Sequence, residues 1–271
     1  MSKIWMIASG KGGVGKSTIT ANLGRALARQ GRRVCVVDTD IGLRDQDALL
    51  GLENRIVFDL LDVTGQICVL SQALISPEGE PNLSLLPASQ FARSKELERR
   101  SFRKVLSDLR RDFDVVLIDC PAGIERGLRG LMNREIDETL VICTPDDVCI
   151  RNVERVIPIM EKKELPRPQV IVNRLIPDLV RSGEMYSAQT VASTLDVPLL
   201  GEIPDDPCVY RATLQHLSVL DIDCEARHAF LRIAQRMSGA DAPLPAYGSS
   251  RLPWYRRILQ AGSKEVKRLD R

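Results

Sequence analysis

Long apolar runs are missing from these 271 residues. No stretch reaches the roughly eighteen apolar residues that a membrane-spanning helix needs, so no such span is expected. Aromatic residues make up only 4%, and two isolated histidines, His216 and His228, are too few for a histidine-based metal site. None of the seven cysteines (Cys35, Cys68, Cys120, Cys143, Cys149, Cys208, Cys224) forms a C-x-x-C pair. Several sit inside apolar runs and read as small buried hydrophobes in a reducing compartment. Charge of one sign is also lacking: 38 Lys and Arg face 36 Asp and Glu, a formal +2. The total therefore suggests no special affinity for nucleic acid or membrane. No leader pattern opens the chain, because Met1-Ser2-Lys3 runs straight into Ile4-Trp5-Met6-Ile7. A cytoplasmic location is the expectation.

What is present is a sizeable core: 44% of residues are hydrophobic and 27% charged. Short apolar runs recur at Ile4–Ala8, Val34–Val37, Leu83–Leu86, Val115–Ile118, Leu140–Cys143, Val170–Val172 and Leu199–Ile203. They lack polar alternation, so they read as strands buried on both faces. Helical stretches separate most of them: 17–30, 94–111, 147–163 and 187–195, with a last one over 224–237. Alternating strands and helices imply an α/β fold, a mainly parallel twisted sheet with helices on both faces. Residues 1–237 form the expected globular domain. Residues 238–250, rich in Gly, Pro, Ser and Ala, read as a flexible linker, and 251–271 as a separate helix.

The first strand is followed by Gly10-Lys11-Gly12-Gly13-Val14-Gly15-Lys16-Ser17-Thr18. This fits the G-x-x-x-x-G-K-[ST] phosphate loop. Its glycines let successive backbone N–H groups turn towards phosphates at a helix N-terminus. Lys16 is placed to reach the β- and γ-phosphates of ATP, and the Ser17 hydroxyl to ligate Mg2+. Farther on, Val115-Val116-Leu117-Ile118 leads into Asp119, a strand-end carboxylate suited to holding the same metal, followed by Cys120-Pro121-Ala122-Gly123. Asp38 and Asp40 close the second strand two residues apart, so both project to one side of it.

The extra lysine narrows the reading. Gly-Lys-Gly-Gly-Val-Gly-Lys-Ser, with Lys11 beside Lys16, resembles the deviant Walker A motif of the MinD/ParA family of dimerising P-loop ATPases. The resemblance implies an ATP-dependent homodimer in which Lys11 reaches phosphates bound by the other subunit. It implies that Asp40 orients the attacking water, with Asp38 supporting the site. It also places adenine recognition at Asn173, with Pro204 in the loop that closes over the base. Asp40-Ile-Gly-Leu-Arg44, Leu85-Leu-Pro-Ala-Ser-Gln90 and Asp119-Cys-Pro-Ala-Gly-Ile-Glu125 are most similar to the MinD branch, which positions bacterial division. That branch usually has Asn at the place of Asp45 and Asp at the place of Asn152. Both departures fall where a dimer or partner surface is expected. A MinC-like inhibitor and a MinE-like activator are the partners that the resemblance suggests. A ParA-like DNA-partitioning ATPase, a flagellar-number regulator and an iron–sulfur reductase relative are the alternatives.

The terminal segment argues independently for a membrane. On a helical projection Leu252, Trp254, Tyr255, Ile258, Leu259, Gly262, Val266 and Leu269 share one arc of about 160°. Arg256, Arg257, Gln260, Lys264, Lys267 and Arg268 fill most of the other side, and only Glu265 intrudes. An interfacial helix has this pattern, with an apolar face in lipid and basic groups on anionic headgroups. Residues 251–271 carry seven basic and two acidic groups, a net of +5, which leaves the preceding body at −3. The expectation is a protein reversibly peripheral on the inner face of the cell membrane, bound to anionic lipid, with no nucleic-acid partner.

Overall fold

The computed structural model describes residues 2–91, 97–123, 130–215 and 217–245. All seven apolar runs are strands: β1 Lys3–Ser9, β2 Val34–Asp38, β3 Leu83–Leu86, β4 Val115–Asp119, β5 Glu138–Cys143, β6 Gln169–Leu175 and β7 Leu199–Pro204. They make one parallel sheet in the order β3-β2-β4-β1-β5-β6-β7. In chain order the α-helices among the described residues are α1 Lys16–Arg29, α2 Gln46–Leu50, α3 Leu60–Thr64, α4 Leu70–Ala73, α5 Arg99–Asp112, α6 Asp147–Lys162, α7 Pro177–Ser182, α8 Ala188–Leu195, α9 Pro207–Leu214 and α10 Glu225–Met237.

The strand order decides where the helices go. The crossover from β1 to β2 runs in one direction along the sheet, and those from β3 to β4, β5 to β6 and β6 to β7 run in the other. Right-handed crossovers then put α1 on one face and α5, α6 and α8 on the opposite face. Helix α10 packs on α1 and β7, completing the first layer. Both faces being covered, β2 is buried at every residue and β1 at all but Lys3, which is why these strands lack alternation. Ile4, Met6, Leu23, Leu27, Leu117, Phe102 and Phe230 are fully enclosed in the core. Each such side chain contributes about 1.5–3 kcal/mol by leaving water.

The change of winding direction falls at β1, so a crevice opens at the carboxyl ends of the central strands. Register brings the end residues together: Asp38 lies beside Asp119, and Ile7 beside Asp119, just before the glycine loop.

Two details differ from expectation. The helix expected from residue 94 begins at Arg99, because Glu98 is extended (φ −76, ψ 129) and precedes the first turn. Helices α2, α3, α4, α7 and α9 lie outside the expected helical stretches; in the first four, four to six residues give too few turns to show a 3.6-residue pattern. Residues 238–245 of the expected linker follow α10 along the fold, where Arg236 Nη1 donates to the buried Ala242 carbonyl at 2.8 Å. The remainder of the linker and residues 251–271, with Leu252, Trp254, Tyr255, Arg256, Arg257, Ile258, Leu259, Lys264 and Lys267, lie outside the described residues. Among the described residues no helix is long and apolar enough to cross a membrane.

Candidate active site

The loop between β1 and α1 is shaped by two close approaches. A Cβ on Gly10 would stand 2.7 Å from the Asn152 and Val153 backbone of α6, so only glycine lets the loop lie against that helix. Gly15 caps α1 in the left-handed region (φ 89, ψ 18) with no side-chain partner, and the first turn holds no acidic residue. The positive end of the helix is therefore left for an external anion. A Cβ on Gly15 would also come 2.6 Å from Asn173 Nδ2, the atom that donates to Val14 O at 2.8 Å. Gly15→Ala is accordingly expected to cost roughly 1–2 kcal/mol of stability through its backbone alone. By displacing the Asn173 clamp it should also weaken ATP binding about tenfold or more. Thermal unfolding and titration with a fluorescent nucleotide check both, and parent-like binding would mean that the clamp yields without disturbing the loop.

Beneath the loop lies a buried cluster of charge. Lys16 Nζ meets Asp119 Oδ1 at 2.5 Å, and the two side chains are only 6% and 1% exposed. Burial pulls the Lys16 ammonium down, but the charge and hydrogen bond of Asp119 outweigh it and leave its pKa raised. Lys16 Nζ also donates to Ser17 Oγ at 3.2 Å, and Thr20 Oγ1 lies 3.3 Å from Asp119 Oδ1. Asp38 is fully buried; its Oδ1 accepts from Asp40 N at 2.9 Å and its Oδ2 from Gln46 N at 3.1 Å. Burial and the neighbouring Asp119 push the Asp38 carboxyl up to about 8. Both Asp38 oxygens thus serve the backbone of the loop that leads into α2, which makes it a positioning residue for Asp40. The Asp40 carboxyl is half-buried and raised by burial, with Lys16 opposing the rise.

The other expected residues fall around this centre. Lys11 points away from it: its Nζ lies 3.3 and 3.4 Å from the two Asp146 oxygens, and its side chain is 36% exposed. Asp146 caps α6 by accepting from Cys149 N at 2.9 Å and also receives the Thr144 hydroxyl. Burial works the other way, but these donors and Lys11 hold its carboxyl below the usual range. Gly15, Thr18, Asn173 and Pro204 line one cavity of about 270 Å³ with Ile19, Ile203 and Tyr210. Its lining combines isoleucines with the Asn173 amide, the chemistry that suits a nucleobase. Cys120 is wholly buried, which raises its thiol and leaves it unsuited to redox work.

Gln46 has no counterpart among the residues expected from sequence. Its Nε2 donates to Asp119 Oδ2 at 2.7 Å and to Ser17 O at 3.0 Å, joining the residues expected to hold the metal to the Asp40 loop. The amide oxygen Oε1 is buried without a partner among the described residues. Thr39 is similar, with its Oγ1 donating to Asp119 O at 2.6 Å. The only sequence signal for either was proximity to Asp38 and Asp40.

The donor set fits a magnesium nucleotide. Ser17 and Asp119 offer hard oxygen ligands of the kind Mg2+ takes, the orphaned Gln46 oxygen can receive a metal-bound water, and Lys16 supplies a compensating cation beside them.

Comparison with known proteins points the same way. The family model described as ParA, NUBPL iron-transfer P-loop NTPase matches residues 1–238. The septum site-determining protein MinD of Helicobacter pylori is 42% identical over 258 residues, covering 93% of this chain and 96% of that protein. The MinC:MinD cell division protein complex of Aquifex aeolicus aligns with a TM-score of 0.84 at 36% identity, covering 91% of this chain and all of that one (100%). The septum site-determining protein MinD of Pyrococcus horikoshii, complexed with Mg-ADP, gives 0.78 at 29% identity, covering 88% and 96%.

Proposed function

The chain belongs to the MinD/ParA family of P-loop ATPases, and from that premise we propose that it is a cell-division ATPase acting as a membrane switch. Its ATP-bound form dimerises, settles on the inner face of the cytoplasmic membrane and recruits regulators of septum placement. A MinC-like protein is the first such partner to expect, given the Aquifex complex; a MinE-like activator is the second.

The observation that carries this reading is the division of labour between two lysines in one loop. Lys16 is committed to the buried centre at 2.5 Å from Asp119, whereas Lys11 is turned outward to Asp146. A half-exposed pair of that kind is worth about 0–1 kcal/mol, so Lys11 can exchange its partner for a stronger anion at little cost. Phosphate held by a facing subunit is such an anion.

Within one subunit the backbone N–H groups of residues 10–18 bind the phosphates, and Lys16 exchanges Asp119 for phosphate oxygens. Ser17 and Asp119 hold the metal. Magnesium, when bound, neutralises phosphate charge and keeps the reacting oxygens in line. Asp40, positioned by Asp38, orients the attacking water. Asn173 and Pro204 confine the base.

The membrane half rests on residues 251–271, a basic amphipathic segment joined to the ATPase domain 1–237 through 238–250. Each basic group near an anionic surface contributes about 1 kcal/mol, and one short helix binds only reversibly. Pairing two segments by dimerisation raises their effective concentration, so avidity follows the nucleotide state.

Co-sedimentation with liposomes containing anionic lipid tests the switch. The protein should pellet with ATP and stay in solution with ADP, and a deletion of 251–271 should lose the ATP-dependent fraction. Equal pelleting in both states, or no loss on deletion, rejects the membrane reading. Salt-sensitive DNA retention by the deleted protein would move it to DNA partition. Lys11→Ala separates the two lysines: ATP binding should stay within about threefold of the parent, because Asp146 and not the nucleotide holds Lys11 in the monomer, while ATP-dependent dimerisation should disappear by light scattering. Dimerisation that survives in this variant removes the trans role.

A further inference from the structure

A second cluster of ligating groups stands beyond the nucleotide site, where β7 gives way to α9 and α10. The carboxylate of Asp206 and the thiols of Cys208 and Cys224 present ligand atoms that all lie within 4.8 Å of one another, each on a half-buried residue. Their positions are fixed by backbone. Asp206 Oδ1 accepts from Cys208 N at 2.9 Å as the cap of α9, and Oδ2 accepts from Ala226 N at 3.1 Å in the first turn of α10. Cys224 caps α10, with its sulfur accepting from Arg227 N at 3.5 Å. Two helix N-termini therefore converge on the cluster, and N–H donors to sulfur and carboxylate favour their anionic forms. Asp206 borders the base cavity, but Cys208 and Cys224 do not line it, so no step of ATP binding accounts for the two thiols.

We propose that Asp206, Cys208 and Cys224 bind one thiophilic divalent cation, Zn2+, with water as the fourth ligand. Zinc bonds of about 2.3 Å to sulfur and 2.0–2.2 Å to oxygen put tetrahedral ligands roughly 3.6–3.8 Å apart. Ligand atoms within 4.8 Å of one another need close by no more than about 1 Å to reach that spacing, within reach of a cysteine side-chain rotation. Two thiolates with one carboxylate select zinc over magnesium or calcium, which take oxygen ligands, and fall short of the four ligands an iron–sulfur cluster needs. Uptake displaces one proton from each thiol, while the carboxylate enters already ionised. Partial burial opposes ionisation of Asp206, but its N–H donors prevail and hold it below the usual range. Burial, with Asp206 and Cys208 close by, pushes the free Cys224 thiol up to about 11. The ion ties α9 to α10 and braces the segment after Pro204, beside the base cavity.

Cobalt titration of the reduced, chelator-stripped full chain tests the site, with Co2+ as the spectroscopic stand-in for Zn2+. One equivalent should develop a thiolate-to-cobalt charge-transfer band that Zn2+ displaces. Cys208→Ser and Cys224→Ser should each weaken cobalt binding about tenfold or more, while Cys68→Ser, a half-buried thiol elsewhere, should leave it unchanged. Because a substituted cysteine also alters a cap, alkylation of the unsubstituted protein followed by mass spectrometry is the second arm: Zn2+ should protect Cys208 and Cys224 and leave Cys68 reactive. The absence of a thiolate band, a band that survives both substitutions, or alkylation indifferent to Zn2+ overturns the proposal. So does a Cys208–Cys224 disulfide on oxidation when the reduced protein takes up no cobalt, which would make the pair a dithiol switch.

Discussion

Lys16→Ala is expected to abolish ATP hydrolysis, weaken nucleotide binding by orders of magnitude, and destabilise the fold as well. The two losses have different causes. Binding suffers because the loop loses the one cation committed to its interior. Stability suffers because Asp119 is left as a buried carboxylate, and breaking such a pair from one side costs up to about 3–5 kcal/mol. The loss should sit at the low end of that range, since Gln46 Nε2 and Thr20 Oγ1 still donate to Asp119. In the parent, the Lys16 pKa is raised above its unfolded value. The pair's contribution is thus fully present below the ordinary lysine range and lost only as the pH climbs through the raised value, so the parent should show no pH dependence from this source near neutrality. Urea unfolding, calorimetric titration with Mg-ATP and phosphate release measure the three effects separately. Turnover above about a tenth of the parent would show that Lys16 is not the phosphate lysine.

The sheet and the phosphate loop are legible in the sequence for the same reason: each is written in contiguous residues. Strands covered on both faces appear as unbroken apolar runs, and all seven are found where those runs lie. The loop is a fixed spacing of glycines and lysines. What escapes is chemistry assembled across distance. Gln46 stands 73 residues from Asp119, and no periodicity marks it, because α2 has only five residues. Asp146, the partner of Lys11, is 135 residues away and stands just outside the helical stretch expected from residue 147, where no motif marks it. Cys208 and Cys224 lie in two separate helix starts, too far apart for a spacing motif, and come together only because both helices begin around Asp206. The late start of α5 has a simpler cause: Glu98 is its extended N-cap, with Oε2 accepting from Ser101 Oγ at 2.9 Å, a position that helical periodicity does not mark.

Asp40→Ala should lower ATP hydrolysis by about 10²–10⁴, the span that a proton-handling side chain supplies, and leave nucleotide binding nearly intact. The geometry separates these outcomes. The loop after β2 is held by its backbone: Asp40 N donates to Asp38 Oδ1, Gly42 N to Ser89 O at 2.8 Å, and Arg44 N to Asp40 O at 3.0 Å. Among the described residues no hydrogen bond reaches the Asp40 carboxylate, so alanine removes a charge without loosening the loop. Stability should stay within about 0.5 kcal/mol of the parent. Asp38→Ala makes the contrast, because it strips both backbone donors of their acceptor inside the fold, and should lower stability and turnover together. If dimerisation follows ATP occupancy, the Asp40 variant will accumulate as a long-lived ATP dimer and remain on liposomes after the parent has released. Parent-like phosphate release by Asp40→Ala would transfer the water-orienting role elsewhere. Gln46, already joined to Asp119 and Ser17, would be the next residue to substitute.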